Sequence, residues 1–271
     1  MITKGNFILM EVGEFRSWLA SQKVTRTITK LQVHHTWRPN YSTRGGQDHF
    51  ACLEGMRRSH LANDWSGTGQ NITVFEDGRI AISLDRNINS TPAGIKGANT
   101  GALCMEIIGN FDKGGDSMTG AQKQSVTHVY ACLADKLNIP VDTSHIVYHA
   151  WYTASGLFLG DYVPGKSSKT CPGTNFWGNG NTRAAANKGF IPAIQQEMSR
   201  LNGEGEDEVM KEQLNKLAKR VAELEEASKR VPAPKWFVSE FGSSDLGGKI
   251  SEPEFTQEGW RVLAVGLRVS K

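Results

Sequence analysis

The sequence predicts an α/β fold over residues 1–202, followed by a heptad helix and a small C-terminal unit. Three observations support this prediction. Short β-rich runs, such as the alternating segment 27–35, are interspersed with stretches of helical apolar spacing. The composition changes at Gly203, where an acidic stretch begins. A chain of 271 residues is long enough for one medium domain and an appendage.

The β-rich segments predict a sheet with a buried centre. In the second half of segment 27–35, apolar and polar side chains alternate, as in a strand with two different faces. Segments 72–75 and 80–82 flank an Asp-Gly step, which predicts a hairpin. Segment 101–109 is mostly apolar and is therefore expected in the middle of the sheet.

Four stretches have the apolar spacing of helices, namely 12–22, 47–61, 119–139 and 191–201. In the second of them, Phe50, Leu53 and Leu61 are expected to face the core. Thr119 and Gln122 fit the two positions of a capping box.

The C-terminal part is predicted to contain an acidic linker at 203–208 and a helix that ends by residue 231. Apolar residues there follow alternating steps of four and three, with Ser228 in one slot: Met210, Leu214, Leu217, Val221, Leu224 and Val231. Two interpretations stay open, a helix packed on the first domain and a self-associating coiled coil. The predicted domains are thus 1–202, 203–231 and 232–271, the last being a thin unit rich in aromatic residues.

Composition excludes several classes of protein. The net charge of +3 is too small to indicate a nucleic-acid partner, and no run approaches the roughly 20 apolar residues of a membrane span. The N-terminal apolar run is too short for a signal peptide, so the chain is expected to stay in the cytoplasm where it is made. Three of the four cysteines, Cys52, Cys104 and Cys132, lie in apolar stretches and are expected to be packing residues.

Cys171 differs because it lies in the polar loop Lys169-Thr170-Cys171-Pro172-Gly173. Together with His34 and His149, it offers two imidazoles and a thiolate, which are good zinc ligands. Three protein ligands leave a position open for water, and this indicates a catalytic rather than a structural metal. Strand alternation places His34 and His35 on opposite faces, so only one of them is expected to reach the metal.

Two further side chains are candidates for catalysis. Glu106 lies among apolar neighbours in a predicted strand, where a carboxylate is costly unless a nearby cation compensates it. Lys169 is two residues before Cys171, on the same face of an extended loop, where its charge can stabilise an oxyanion. The alternatives are an edge-exposed or ion-paired glutamate and an ordinary surface lysine.

The remaining histidines with no ligand-like context are interpreted as structural or exposed: His49, His60, His128 and His145.

Taken together, these motifs resemble the zinc-dependent N-acetylmuramoyl-L-alanine amidases of the amidase-2 and peptidoglycan recognition protein family. The matching runs are 31–36, 71–80, 102–111, His149 and 169–173. The resemblance implies a central mixed β-sheet flanked by helices, with His34, His149 and Cys171 as zinc ligands.

The resemblance also implies the chemistry. Glu106 falls where recycling amidases of the family keep a catalytic glutamate, and Lys169 matches the motif lysine. Many members have a tyrosine where this chain has Gln70, which cannot donate a proton, so Glu106 and Lys169 are expected to carry the acid–base work. Trp37 and Trp151 are expected to contact the substrate, bacterial peptidoglycan.

A phage endolysin is the role that these features predict. Such an enzyme waits in the host bacterial cytoplasm until lysis and then cleaves the amide between N-acetylmuramic acid and L-alanine in the wall. The 232–271 unit would bind the wall, and the heptad helix would pair with another copy or with a separately made 210–271 fragment. Two alternatives remain, a non-catalytic peptidoglycan-binding protein and a cytoplasmic amidase that recycles muropeptides.

Overall fold

The computed structural model describes residues 1–270, and for 204–210 and 212 it describes the backbone alone. The chain forms two compact units, one spanning Met1–Asn202 and the other starting at Gly203. The roles assigned to 203–231 and 232–271 stay predictions. The side chain of Met210, the first residue of the predicted heptad, lies outside the described residues.

A seven-stranded mixed sheet forms the centre of the first unit. Its strands are β1 Ile2–Lys4, β2 Phe7–Met10, β3 Lys30–His35, β4 Ile72–Val74, β5 Ile80–Ser83, β6 Ala102–Ile107 and β7 Ile146–Tyr148. Their order is β1-β2-β5-β4-β6-β3-β7. Strand β6 pairs in parallel with β4 and β3, and β3 pairs in parallel with β7, whereas β4 and β5 form the predicted antiparallel hairpin. The predicted mixed sheet, with the apolar strand in its interior, is confirmed.

Helices flank this sheet, as predicted. The first unit contains α1 Val12–Ser21, α2 Tyr41–Arg44, α3 His49–Ala62, α4 Gly120–Leu137, α5 Arg183–Ala185 and α6 Ile191–Leu201. Short helical turns also occur at His149–Trp151, Phe176–Gly178 and Ala186–Phe190. The orientation predicted for Leu61 is wrong: its side chain is 39% exposed, since it lies in the last turn of α3, beyond the edge of the core.

Both faces of the sheet are covered, because the side chains of its strands alternate between two apolar clusters. The larger cluster contains Phe15 of α1, Val126 of α4 and Ile194 of α6. The smaller one contains Phe50 and Leu53 of α3 together with strand residues. Such double coverage explains why the central strands are almost continuously apolar.

Helix α4 is fixed to the sheet at its N-terminus. The Thr119 hydroxyl accepts a hydrogen bond from the Gln122 N–H at 3.0 Å, as predicted for the cap. The Gln122 side chain, however, does not complete the capping box. Its amide donates to the carbonyls of Val74 and Ile108, at 3.2 and 2.8 Å. The buried glutamine therefore ties the helix to the ends of β4 and β6.

The second unit contains α7 Glu204–Ser228, α8 Lys235–Phe241 and α9 Gln257–Val269, with a two-stranded sheet of β8 Val231–Pro232 and β9 Glu254–Phe255. Its core is built on Phe237, Trp260 and Ala264. The backbone is helical from Glu204, so the acidic stretch forms the first turns of α7, and its role as a linker stays a prediction. Neither α7 nor any other helix within residues 1–270 combines the length and apolar character that crossing a bilayer requires.

Candidate metal centre and active site

The candidate site lies where three parallel strands end. His34 of β3 is paired in register with Glu106 of β6, and β7 ends at Tyr148, directly before His149. The carboxyl ends of parallel strands meet at one edge of a sheet, where open α/β sheets commonly bind ligands. The topology therefore brings together residues that are far apart in the sequence.

Three predicted metal ligands meet at this edge. The donor atoms of His34, His149 and Cys171 all lie within 4.8 Å of one another, and the two histidine Nδ1 atoms are 3.3 Å apart. Two nitrogens on one tetrahedral zinc would be roughly 3.4 Å apart, given Zn–N bonds of about 2.0–2.1 Å. His35 is not part of the group, since its Nδ1 accepts a hydrogen bond from the Phe111 N–H at 3.1 Å.

Contacts with residues 111 and 112 hold the loop that carries Cys171 in place. Gly173 has a φ of 126°, and a Cβ at this position would lie 2.4 Å from the carbonyl of Phe111, so only glycine fits. The Asp112 carboxylate accepts a hydrogen bond from the Thr170 hydroxyl at 3.1 Å. The Cys171 Sγ is thus presented to the two histidines by a fixed turn.

The electrostatic environment suits a cation. Burial, followed by the charge of His149, lowers the pKa of His34 well below its usual value. Burial likewise lowers the pKa of His149 to about 4, so both rings are neutral at pH 7 and offer lone pairs. Burial raises the pKa of the Cys171 thiol, which is only 4% exposed. A cation would compensate the cost of burying the thiolate, and the donor set therefore fits zinc.

Glu106 faces the same site. Its Oε1 lies 3.9 Å from His34 Nδ1, and its buried Oε2 has no hydrogen-bond partner among the described residues. Burial raises its pKa to about 8, although the positive charge of Lys169 opposes this shift. A carboxyl with this pKa can take up and release a proton near neutral pH. The edge-exposed alternative is wrong, because β6 lies inside the sheet.

A cavity of about 460 Å³ connects the predicted site residues. All five candidates for metal binding and catalysis line it: His34, Glu106, His149, Lys169 and Cys171. The exposed side chain of Lys169 lines this cavity from the loop, and its positive charge acts on the carboxyl of Glu106. The cavity thus brings a candidate metal centre, an acid–base group and a cation into one space.

The two tryptophans differ in position. Trp37 lines the cavity and is 55% exposed, so it stays a candidate substrate contact. Trp151 is fully buried, stacks on Tyr148 with ring centroids 4.6 Å apart, and donates its indole N–H to the Asn181 carbonyl at 2.8 Å. The expectation that Trp151 contacts the substrate is therefore wrong; the side chain belongs to the core.

Sequence reasoning missed two residues at this site. Cys104, predicted as a packing residue, is buried, but its Sγ also lies within 4.8 Å of donor atoms of His34 and Glu106. The sequence could have indicated this, because Cys104 lies two residues before Glu106 in β6, and residues two apart in a strand share a face. His60, predicted as structural or exposed, lines the cavity.

The other three histidines lie away from the cavity and form hydrogen bonds with carboxylates, as expected for structural residues. His49 contacts Asp77, His128 contacts Glu197 and His145 contacts Asp142, with nitrogen–oxygen distances of 2.7–2.8 Å.

Comparison with known families agrees with this geometry. The family profile Amidase_2, described as N-acetylmuramoyl-L-alanine amidase, matches residues 24–174, more than half of the chain. The chain belongs to this amidase family. The matched segment contains all five cavity residues that are candidates for metal binding or catalysis. By family, therefore, the chain is an N-acetylmuramoyl-L-alanine amidase.

Solved structures similar to this amidase share little sequence identity with it. The endolysin amidase LysCS from Clostridium intestinale is 21% identical, and the match covers 60% of this chain and 83% of LysCS, with a TM-score of 0.41. LysC from the same organism is 20% identical, with coverage of 62% and 90% and a TM-score of 0.41. A point mutant of Drosophila PGRP-LB, solved in complex with tracheal cytotoxin, is 18% identical, with coverage of 56% and 79% and a TM-score of 0.42. No curated protein sequence matches the amidase.

Proposed function

We propose that the chain is a zinc hydrolase that cleaves the amide bond between N-acetylmuramic acid and L-alanine in bacterial peptidoglycan. One observation carries the proposal: two neutral imidazoles and a thiol converge on one cavity that also holds Glu106 and Lys169. Membership of the amidase family gives the class of bond.

The side chains of the cavity have distinct roles in this proposal. His34, His149 and Cys171 would hold the zinc ion, which when bound supplies a Lewis acid and makes water more acidic. The Glu106 carboxylate accepts the proton of the attacking water and returns it to the leaving amine. The Lys169 ammonium stabilises the negative charge that develops on the amide oxygen.

Metal and product analysis of the full-length protein tests the proposal. We expect about one zinc ion per chain and release of N-terminal L-alanine from purified walls, with loss of both after chelation and recovery after zinc is added back. Cys171→Ser should lose most of the bound zinc, because a hydroxyl is a much weaker ligand than a thiolate. Zinc-free wild-type protein that still releases L-alanine would contradict the proposal.

For the biological role we propose phage lysis, with the enzyme held in the host bacterial cytoplasm until it gains access to the wall. The second unit, whose core around Trp260 is separate from that of the amidase unit, supports delivery to a wall polymer. Removal of residues 232–271 should then reduce binding to intact walls. The recycling alternative predicts activity on soluble muropeptides but not on intact sacculi, and a non-catalytic wall-binding protein predicts no product from either.

We propose further that α7 pairs with α7 of a second copy or of a 210–271 fragment. Leu214, Leu217, Val221 and Leu224 expose 48–63% of their area at heptad spacing. Arg220 and Glu225 fall at the g and e positions, where parallel chains form ion pairs. Leu217→Lys should convert a dimer to a monomer in sedimentation experiments, whereas Asn215→Lys, on the outward face, should not. A monomeric wild type would contradict this prediction.

A further inference from the structure

His60, at the end of α3, has a fixed ring. The indole of Trp65 stacks on it, with ring centroids 4.7 Å apart and an interplanar angle of 12°. The Gly69 N–H donates a hydrogen bond to His60 Nδ1 at 3.1 Å. An Nδ1 that accepts a hydrogen bond carries no proton, so in the neutral ring the proton lies on Nε2. Burial, followed by the charge of Arg86, lowers the pKa of His60 and favours this neutral form.

The remaining nitrogen of this ring has no hydrogen-bond partner in the part of the chain that the structure describes. Among residues 1–270, His60 Nδ1 contacts Gly69, but His60 Nε2 contacts no acceptor. His60 lines the cavity of about 460 Å³ and also a second cavity of about 330 Å³ that extends along α3. These cavities have only three lining residues in common, Thr36, His60 and Glu106. His60 therefore lies where they meet, on a wall shared with the carboxyl of Glu106.

The neighbouring amide differs from His60 because it is almost completely buried. Gln70 also lines the larger cavity, and one of the two N–H groups of its side chain donates a hydrogen bond to the Thr73 hydroxyl at 3.0 Å. On this wall, among the residues described, His60 Nε2–H is thus a rigid neutral donor without an acceptor. A bound substrate that bears amide carbonyls would provide one.

We infer that His60 Nε2–H donates a hydrogen bond to an amide carbonyl of the substrate at the junction of the two cavities. The inference rests on the proposed amidase function and adds a substrate-binding residue to it. Because the neutral ring binds rather than transfers a proton, its contribution is to substrate binding and appears in KM. The competing explanation is structural: His60 would serve only to accept the Gly69 N–H and to support Trp65.

Two amide variants separate these explanations. In His60→Asn, the side-chain oxygen can take the place of Nδ1 and accept from Gly69, but nothing replaces the Nε2 donor. In His60→Gln, the longer side chain can place an N–H near the Nε2 position, while the acceptor for Gly69 is lost. The substrate-binding explanation therefore predicts the greater loss for asparagine, and the structural explanation predicts the greater loss for glutamine.

The experiment measures kcat and KM on N-acetylmuramoyl dipeptide and the thermal unfolding of both variants. We expect KM to rise about tenfold in His60→Asn, the effect of losing one neutral hydrogen bond, with kcat within about twofold of wild type. His60→Gln should keep KM within about threefold. His145→Gln, which changes a histidine away from the cavity, should match wild type.

Calorimetric binding distinguishes failure of this inference from failure of the proposed function. In a Glu106→Gln background, which should not turn over, His60→Asn is expected to weaken binding of the same dipeptide about tenfold. An inactive wild-type protein would refute the amidase proposal, yet the binding comparison would still report on His60. Unchanged KM and affinity in His60→Asn, or a greater loss in His60→Gln, would overturn the inference.

Discussion

Replacement of Glu106 by glutamine is expected to lower kcat by about 10²–10⁴-fold while the zinc content stays that of the wild type. The amide has nearly the shape of the carboxylate but cannot accept the proton of the attacking water. In the proposal the zinc is held by His34, His149 and Cys171, and not by the second donor group that Glu106 forms with His34 and Cys104, so the metal should be retained. Steady-state assays on purified walls and elemental analysis of the same samples measure the two quantities.

The half-buried glutamate of α3, Glu54, offers a matched control. Its side chain is 36% exposed and lies outside both cavities, so Glu54→Gln should keep wild-type turnover and zinc content. If Glu106→Gln were as active as this control, the assignment of proton transfer to Glu106 would be wrong.

Replacement of Gly94 by alanine is expected to remove most of the bound zinc and to lower turnover about a hundredfold, although the change adds a single methyl group. A Cβ at this position would lie 2.1 Å from Gln32 Oε1, 2.9 Å from Cys104 Sγ and 3.1 Å from His34 Nε2. Gln32 cannot move away easily, because its buried amide donates to the carbonyl of Ala98 at 2.9 Å. We therefore expect the added methyl group to displace the His34 ring.

Gly120→Ala controls for loss of a glycine, since a Cβ there would have no neighbour within 4 Å. Circular dichroism shows whether each variant is folded, and elemental analysis shows whether it binds zinc. A folded Gly94→Ala protein with full zinc content would show that the residues around Gly94 can move to make room for the methyl group. This outcome would contradict the expected rigidity of the site.

Local patterns predicted most of the first unit because its strands and helices have strong periodicity. The alternation in β3 was enough to separate His34 from His35, and the polar surroundings of Cys171 were enough to single it out. Spacing could not show that Trp151 is buried, because that depends on Tyr148 and Asn181, which pack around the indole. A local sequence pattern describes a single helix or strand, whereas the burial of a side chain depends on how several helices, strands and loops pack together.

His60 was missed for a similar reason. In the sequence it is an ordinary polar residue near the end of an amphipathic helix. Its importance arises from Gly69 and Trp65, which orient the ring, and from the junction of two cavities. The sequence also did not show that the acidic stretch at 204–208 is helical, because charge runs are common in both helices and connections.

The parallel pairing of β3 has a consequence for how its sequence can diverge. Partners on both sides, β6 and β7, hold this strand in one register, with His34 level with Glu106. Gain or loss of one residue within Lys30–Val33 would turn His34 to the opposite face and bring a different side chain level with Glu106. Insertions and deletions within this strand should thus be rarer among homologues than point substitutions.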